Sequence, residues 1–441
     1  MSSFIFDSFT LPIPSIRFDL QRITTEQNGQ TLIHFYDSLG YTTADFALPV
    51  EAETILSLFD GNRSVNDILA YSSDEVTKEE ILSYAQFLDE HCLLDSPYFS
   101  EQAEATEQNY ETSNIHTPVT VGNSYPEDAH ELKTFLDEAF ISNEQTTPVE
   151  NAKALFAPHI DPRVGMKSYI KAFSAIKNLK PKRVVILATS HYSGLYGDLY
   201  EETPFIISDK IITLPNGDVK ADSENIAQLK RITDEKKLGI SFQDRAFRIE
   251  HSVELHLLFL NHIWNHDFSI IPILVGGFDE LLYMEKGFRA QQVDEFSRLL
   301  NKQFGDDDDT FFLISGDLSH FGKKFGDAKT ARELVKSIQE FDHQFIQKAL
   351  INNANGMISL LTRDYDATRI CGFPPLLSFL RTMPNLKGTQ LSYDLWDEIE
   401  RESALTSDNG NPVPIKNNVI TIPFLPNPSR KPKIFSPDGT K

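Results

Sequence analysis

Three apolar runs constrain this chain more than anything else in it: Val184–Thr189 (VVILAT), Ile270–Val275 (IIPILV) and Phe311–Ser315 (FFLIS). Runs of this length, bounded by turn formers, read as strands buried on both faces. Strands of that kind belong to parallel sheets whose faces are covered by helices. Helical patterns fall between them, as in Lys167–Leu179 and Ala331–Leu350. The alternation predicts an α/β domain over residues 131–425, a largely parallel sheet flanked by helices.

The third run opens into Ser315-Gly316, and Asp317 and His320 follow at once. In open α/β sheets the ligand crevice lies outside the carboxyl ends of the strands, so this pair is placed for chemistry. The plainer reading makes Asp317 a helix N-cap and His320 an exposed side chain. Composition narrows the class of function. A formal net charge of -23 argues against a general nucleic-acid binder. Two cysteines, Cys92 and Cys371, give no disulfide framework and suit a reducing compartment. The N-terminus lacks a basic n-region and is broken by prolines, and no apolar run reaches membrane-spanning length. The expectation is a cytoplasmic protein with no membrane and no nucleic-acid partner.

Residues 1–50 alternate short apolar and polar runs, as short strands or an extended arm would. A helical pattern carried by Ala52, Ile55, Leu56 and Phe59 follows, stopped at Asp60-Gly61. Ser64 with Asp67 resembles a capping box for a helix over Val65–Tyr71. Thr77 with Glu80, and Val76 with Ile81, mark the start of a third helix that runs to about His91. LLDSPYF then reads as a strand, so residues 1–95 form a small helical or winged-helix unit. EAETILSLFDGNRSVNDILAY and EEILSYAQFLDEHCLL resemble the PqqD-like winged-helix modules. That resemblance implies binding of a peptide substrate's leader segment, or of a partner enzyme such as a radical SAM or AMMECR1-like protein. Residues 96–130 are acidic, without Lys or Arg, and read as a flexible linker. GDDDD at Gly305–Asp309 lacks the spacing of a calcium loop and reads as a solvated turn. The basic, proline-rich tail covers residues 426–441.

Five segments place a reactive residue at the end of an apolar run or beside Gly or Pro. They are APHIDPRVG (Ala157–Gly165), LATSHYSG (Leu187–Gly194), EHSVELHLLFL (Glu250–Leu260), SGDLSHFG (Ser315–Gly322) and TRICGFPPLL (Thr368–Leu377). His159, His191 and Cys371 stand out as candidate metal ligands. Imidazole and thiolate together suit iron, copper or zinc and exclude magnesium and calcium. No local CxxC or HExxH spacing is present, so any site must be assembled from distant strand ends. Singly, each residue is as well explained as a buried histidine or an inert core cysteine. His251 and Glu254, three apart on an expected helix, would share a face, either as a charged surface or at a substrate.

Together, and in this order, the five segments resemble the Memo-like family, known in bacteria and archaea as AmmeMemoRadiSam system protein B. The resemblance implies a fold like that of class III extradiol dioxygenases, with a non-haem metal pocket at the strand ends. It places His159, His191 and Cys371 at the metal-ligand positions. Asp317 and His320 fall where polar groups complete the pocket, His320 as a catalytic base. His251, Glu254, Asp161 and Arg163 are expected near substrate. Two departures stand out: Asp161-Pro162-Arg163 replaces the aromatic and small residues usual after the histidine, and Leu258 replaces a proline. The function expected is an iron- or copper-dependent oxidoreductase acting on an unknown substrate, a peptide being one class. The alternative is a non-catalytic peptide or small-molecule binding protein.

Overall fold

A computed structural model describes residues 4–42, 46–71, 76–232, 235–284, 286–398, 403–411 and 433–434. The chain divides into two compact units, Met1–Thr112 with Phe424–Lys441, and Ser113–Pro423.

In the first unit, strands Leu20–Gln27 and Gln30–Asp37 pair in antiparallel register around Asn28-Gly29. Both turn residues have positive φ, 52° and 77°, as a two-residue hairpin requires. Phe46–Pro49 adds a third strand and Lys433–Ile434 a fourth. Helices Glu53–Leu56, Val65–Tyr71 and Lys78–Glu90 pack Leu56, Ile68, Ile81 and Leu88 into one core. The first of them ends at Leu56, with Ser57 as its C-cap, rather than at Asp60-Gly61; Gly61, at φ 80°, lies in the turn that follows. Thr77 and Glu80 form the expected capping box.

Two further expectations fail here. LLDSPYF is not a strand: Leu94 makes only an isolated bridge with Ile16, and helix Pro97–Thr112 begins three residues later. Pro97 suits the first turn of a helix, and Ser96 Oγ accepts from Phe99 N at 3.1 Å. The acidic stretch 96–130 is therefore not an irregular linker. Its first half is this helix, whose Glu107 is buried and accepts from the Tyr41 hydroxyl at 2.5 Å. Beyond Ser113 it packs into the second unit, where His116, Thr120, Ser124 and Tyr125 are buried. The tail from Pro426, apart from Lys433–Ile434, lies outside the described residues.

The second unit is α/β. Four parallel strands lie side by side in the order Ser269–Val275, Arg183–Thr189, Thr310–Ser315, Ala154–Ala157. Phe205–Ile207 runs antiparallel beside the first of these and Ile240–Ser241 lies outside it. Helices including Pro162–Ile176, Phe288–Phe304 and Phe373–Thr382 supply the covering layers. The helix expected over Lys167–Leu179 starts earlier, because the Asp161 carboxylate caps Arg163 N and Pro162 takes the first helical position. The acidic turn before Thr310–Ser315 pairs with the opposite ends of the sheet: Asp309 with Lys182 and Asp308 with Lys153, both at 2.6 Å, and Asp307 with Arg183 at 2.7 Å. Among the described residues no helix is long and apolar enough to cross a membrane.

Candidate metal centre

The parallel strands deliver the chemistry to one edge. His159 lies two residues past Ala154–Ala157, His191 two past Arg183–Thr189, and Asp317 two past Thr310–Ser315. Cys371 sits just before helix Phe373–Thr382. Ligand atoms of His159, His191 and Cys371 lie within 4.8 Å of one another. The same holds for Asp317, His320 and Cys371, and for His191, Glu250 and His251.

Hydrogen bonds decide which imidazole nitrogens are available. The Ser315 hydroxyl donates to the Ser252 carbonyl at 2.7 Å. Its oxygen must then accept from His159 Nδ1–H, 2.9 Å away, which leaves the lone pair on Nε2. That nitrogen lies 3.5 Å from Cys371 Sγ. His191 is fixed in the same sense by Glu250, whose carboxylate takes His191 Nδ1–H at 2.9 Å and His191 backbone N–H at 2.7 Å. Among the described residues the buried His191 Nε2 has no hydrogen-bond partner within ordinary geometric reach. Burial would lower the ring, but Glu250 and the nearby Cys371 outweigh it and hold His191 well above the usual imidazole range. Orienting partners of this kind set the tautomer of metal-binding histidines. Burial, reinforced by the neighbouring His191 and His251, drives His159 well below the usual imidazole range. Burial would raise Glu250, but the His191 ring outweighs it and holds the carboxyl down to about 2.

The sulfur is placed by a backbone contact. Asp317 N–H points at Cys371 Sγ, 3.2 Å away, and Gly372 N–H donates to the Asp317 carbonyl at 2.8 Å. The two loops touch at Gly316 and Gly372. A Cβ on Gly316 would fall 2.3 Å from Gly372 Cα, and one on Gly372 would fall 2.8 Å from the Phe156 ring. Thr189 Oγ1 donates to the Cys371 carbonyl at 2.9 Å and ties a third strand end to the same loop.

His320 opens a short strand, His320–Gly322, rather than a helix. Asp317 therefore does not share a helical face with it. The ring is held instead by the carbonyls of Arg369 and Leu318, 2.7 and 3.0 Å from Nδ1, so its other nitrogen is the basic one. Burial pushes its pKa down to about 3.

The residues expected near substrate divide. His251 is at the centre, its ring stacked on that of His191 with centroids 5.0 Å apart, and burial lowers it to about 4. It precedes the helix, which starts at Glu254, so the shared helical face with Glu254 does not exist. Glu254 is an internal anchor: it accepts from Val119 N, Thr120 N and Thr120 Oγ1 at 2.5, 2.8 and 2.6 Å. Burial raises it to about 7 against the pull of those donors. Asp161 caps its helix, receives Ser124 Oγ at 3.0 Å and pairs with the largely exposed Arg163.

A cleft of about 340 Å³ opens beside His191 and Cys371 on the side of Gly276, Phe278 and Ile370. None of His251, Glu254, Asp161 and Arg163 lines it. Sequence reasoning missed this wall, and it missed Ser315 and Glu250 as the groups that orient the imidazoles. Their signal was faint: Ser315 reads as the end of a strand and Glu250 as part of a charged helix face.

The match to a known family falls on this same unit. The family model described as Memo-like protein matches residues 116–406. A MEMO1 family protein of Aquifex aeolicus is 28% identical over 377 residues, covering 84% of this chain and 93% of the relative. One from Thermus thermophilus is 26% identical over 73% of this chain and 89% of its own length. One from Methanocaldococcus jannaschii is 24% identical over 62% and 88%. The matched span includes both histidines, the aspartate and the cysteine gathered at the strand ends, and the chain belongs to the Memo-like family.

Proposed function

We propose that the second unit is a non-haem metal site for iron or copper, held by His159, His191 and Cys371, and that the protein is an oxidoreductase. One observation carries this reading: both imidazoles have Nδ1 committed to a partner, which turns Nε2 toward the site, and ligand atoms of the two rings and the sulfur lie within 4.8 Å of one another. Two imidazole nitrogens and a thiolate suit a borderline or soft ion, whose binding displaces any proton on the rings. Such an ion, when bound, supplies Lewis-acid and one-electron chemistry. Around it the chain's own groups have separate tasks. Glu250 and Ser315 hold the rings, Asp317 N–H steadies the sulfur, and His320 stays neutral with one nitrogen left to take a proton from substrate. We read the fold as that of the class III extradiol dioxygenases on the strength of this strand-end pocket. The first unit we read as a PqqD-like winged-helix module that presents a peptide or docks a partner enzyme, a role its three helices and hairpin suit.

Metal analysis of protein purified without oxygen tests the centre. About one iron or copper per chain is expected, and Cys371→Ser should lose most of it while the fold survives, since a lost ligand removes a large share of binding. Zinc fits the same donors, and zinc alone would remove the redox reading. Metal content unchanged by Cys371→Ser would make Cys371 a core cysteine.

A further inference from the structure

The cleft beside Cys371 has a lining that the metal centre does not require. Its buried wall is apolar, formed by Val275, Phe278, Leu282, Ile370 and Phe373. Its mouth carries acidic and aromatic side chains. Asp279 is exposed and Asp366 half-buried, and Tyr365, 58% exposed, stacks on Tyr283 with centroids 5.0 Å apart. Asp366 accepts only from its own turn, Thr368 Oγ1 at 3.1 Å and Ile370 N at 3.1 Å. Among the described residues neither Asp279 nor Asp366 has a cationic partner. The one Arg or Lys in the lining, Arg369, is already spent: it donates to Asp327 at 2.6 Å and to the carbonyls of Ala367 and His320 at 2.7 and 2.9 Å. Two carboxylates thus face a small cleft without a cationic partner of their own among the described residues, next to an aromatic pair whose ring faces attract cations. Burial, with Asp364 and Asp279 adding repulsion, lifts Asp366 to about 7, as expected of an acid lacking its cation.

We propose that this cleft binds an organic cation, a primary ammonium on an apolar stem, as the substrate or ligand of the site. The stem lies along Phe278, Leu282 and Phe373 with its far end toward His191 and Cys371. The ammonium sits at the mouth between Asp279 and Asp366, away from the metal ligands. A volume of about 340 Å³ lies at the lower end of small-ligand sites and holds a stem of a few carbons. Either a free alkylamine or a lysine side chain of a peptide offers this chemistry. The proposal rests on the metal reading only for what happens at the inner end, because the binding contacts need no metal.

The test uses the full-length protein, metal-loaded and chelator-stripped, with metal content measured on every sample. Calorimetric titration compares hexylamine, hexanol and hexanoate, and a blocked lysine tripeptide with its Nε-acetylated form. Hexylamine should bind about tenfold or more tighter than hexanol, since desolvated opposite charges couple strongly, and hexanoate should bind worst. Asp279→Asn and Asp366→Asn should each reduce that preference, and the double variant should abolish it. In Asp366→Asn the amide oxygen can still accept the turn's hydrogen bonds. Asp279, exposed and outside the core, provides the test if that substitution misfolds. A lysine peptide that binds tighter than hexylamine identifies a peptide source, and the reverse identifies a free amine. Equal binding of hexylamine and hexanol overturns the proposal. So does equal binding of the peptide and its acetylated form, the absence of binding in both metal states, or a preference that survives in the double variant. Protein that holds no iron or copper yet keeps the amine preference sinks the metal reading and leaves this one standing.

Discussion

Ser315 decides which nitrogen of His159 faces Cys371, because its single proton goes to the Ser252 carbonyl. Ser315→Ala removes that instruction without touching a ligand. Loss of such an orienting partner typically weakens metal binding by about 10–100-fold. Competition with a chelator should find that loss, with Ser315→Thr restoring most of it; an unchanged affinity would mean the ring is set by packing alone. His320 is the other residue with a single task. His320→Gln should leave metal content intact and slow turnover by about 10²–10⁴-fold, the usual loss with a general base. Oxygen uptake by metal-loaded protein, with candidate amines or peptides supplied, is the measurement. The candidate ligands were legible in the sequence, the two histidines just past apolar runs and the cysteine beside a glycine. The orienting groups were not, because the meaning of a serine hydroxyl depends on a carbonyl 63 residues away.

At the level of elements, the strands declared themselves. VVILAT, IIPILV and FFLIS each extend by one residue at the start and sit side by side in the sheet. Ala331–Leu350 and Val65–Tyr71 occupy the spans their patterns predict. Helix Pro97–Thr112 escaped notice because its composition is polar and its one buried acid is satisfied by a tyrosine far off in sequence. The crossing of the Gly316 and Gly372 loops was equally invisible, since neither glycine is paired with the other by any local pattern. That contact carries a prediction. Gly372→Ala forces a methyl group against Phe156 and the Asp317 backbone and should cost about 1–3 kcal/mol, as overpacking does. Thermal melts of the metal-free protein check the stability. Metal titration should show a weaker site as well, because Cys371 adjoins the displaced residue; a normal site in a destabilised protein would mean the thiol is placed by other contacts.

The first unit holds a carboxylate that ties its stability to pH. The Arg17 guanidinium is buried against Asp37, 3.0 Å away, and Asp37 also accepts from Thr42 and Tyr41 backbone N–H. Burial would raise the Asp37 pKa, but Arg17 and these donors hold it below the ordinary 3.8. The stability it contributes is therefore complete above that ordinary value and is lost as pH falls through the lower folded one. Asp37→Asn should flatten this acid transition and destabilise the unit by about 1–3 kcal/mol, since the buried Arg17 loses one of its two carboxylate partners and keeps Asp19. Far-UV dichroism and tyrosine fluorescence of residues 1–112 would follow it, and an acid midpoint indifferent to the substitution would assign the transition elsewhere. The second unit has a different dependence, one of order in time. His159 and Cys371, whose side chains lie 3.5 Å apart, are separated by 212 residues of chain. As the chain leaves the ribosome, the histidines wait for the last ligand until most of the unit has been made. An ion captured earlier would meet two imidazoles on an incomplete sheet and no thiolate. On the metal reading proposed above, insertion would be a step of maturation that follows folding, and full occupancy would report that the domain has been finished.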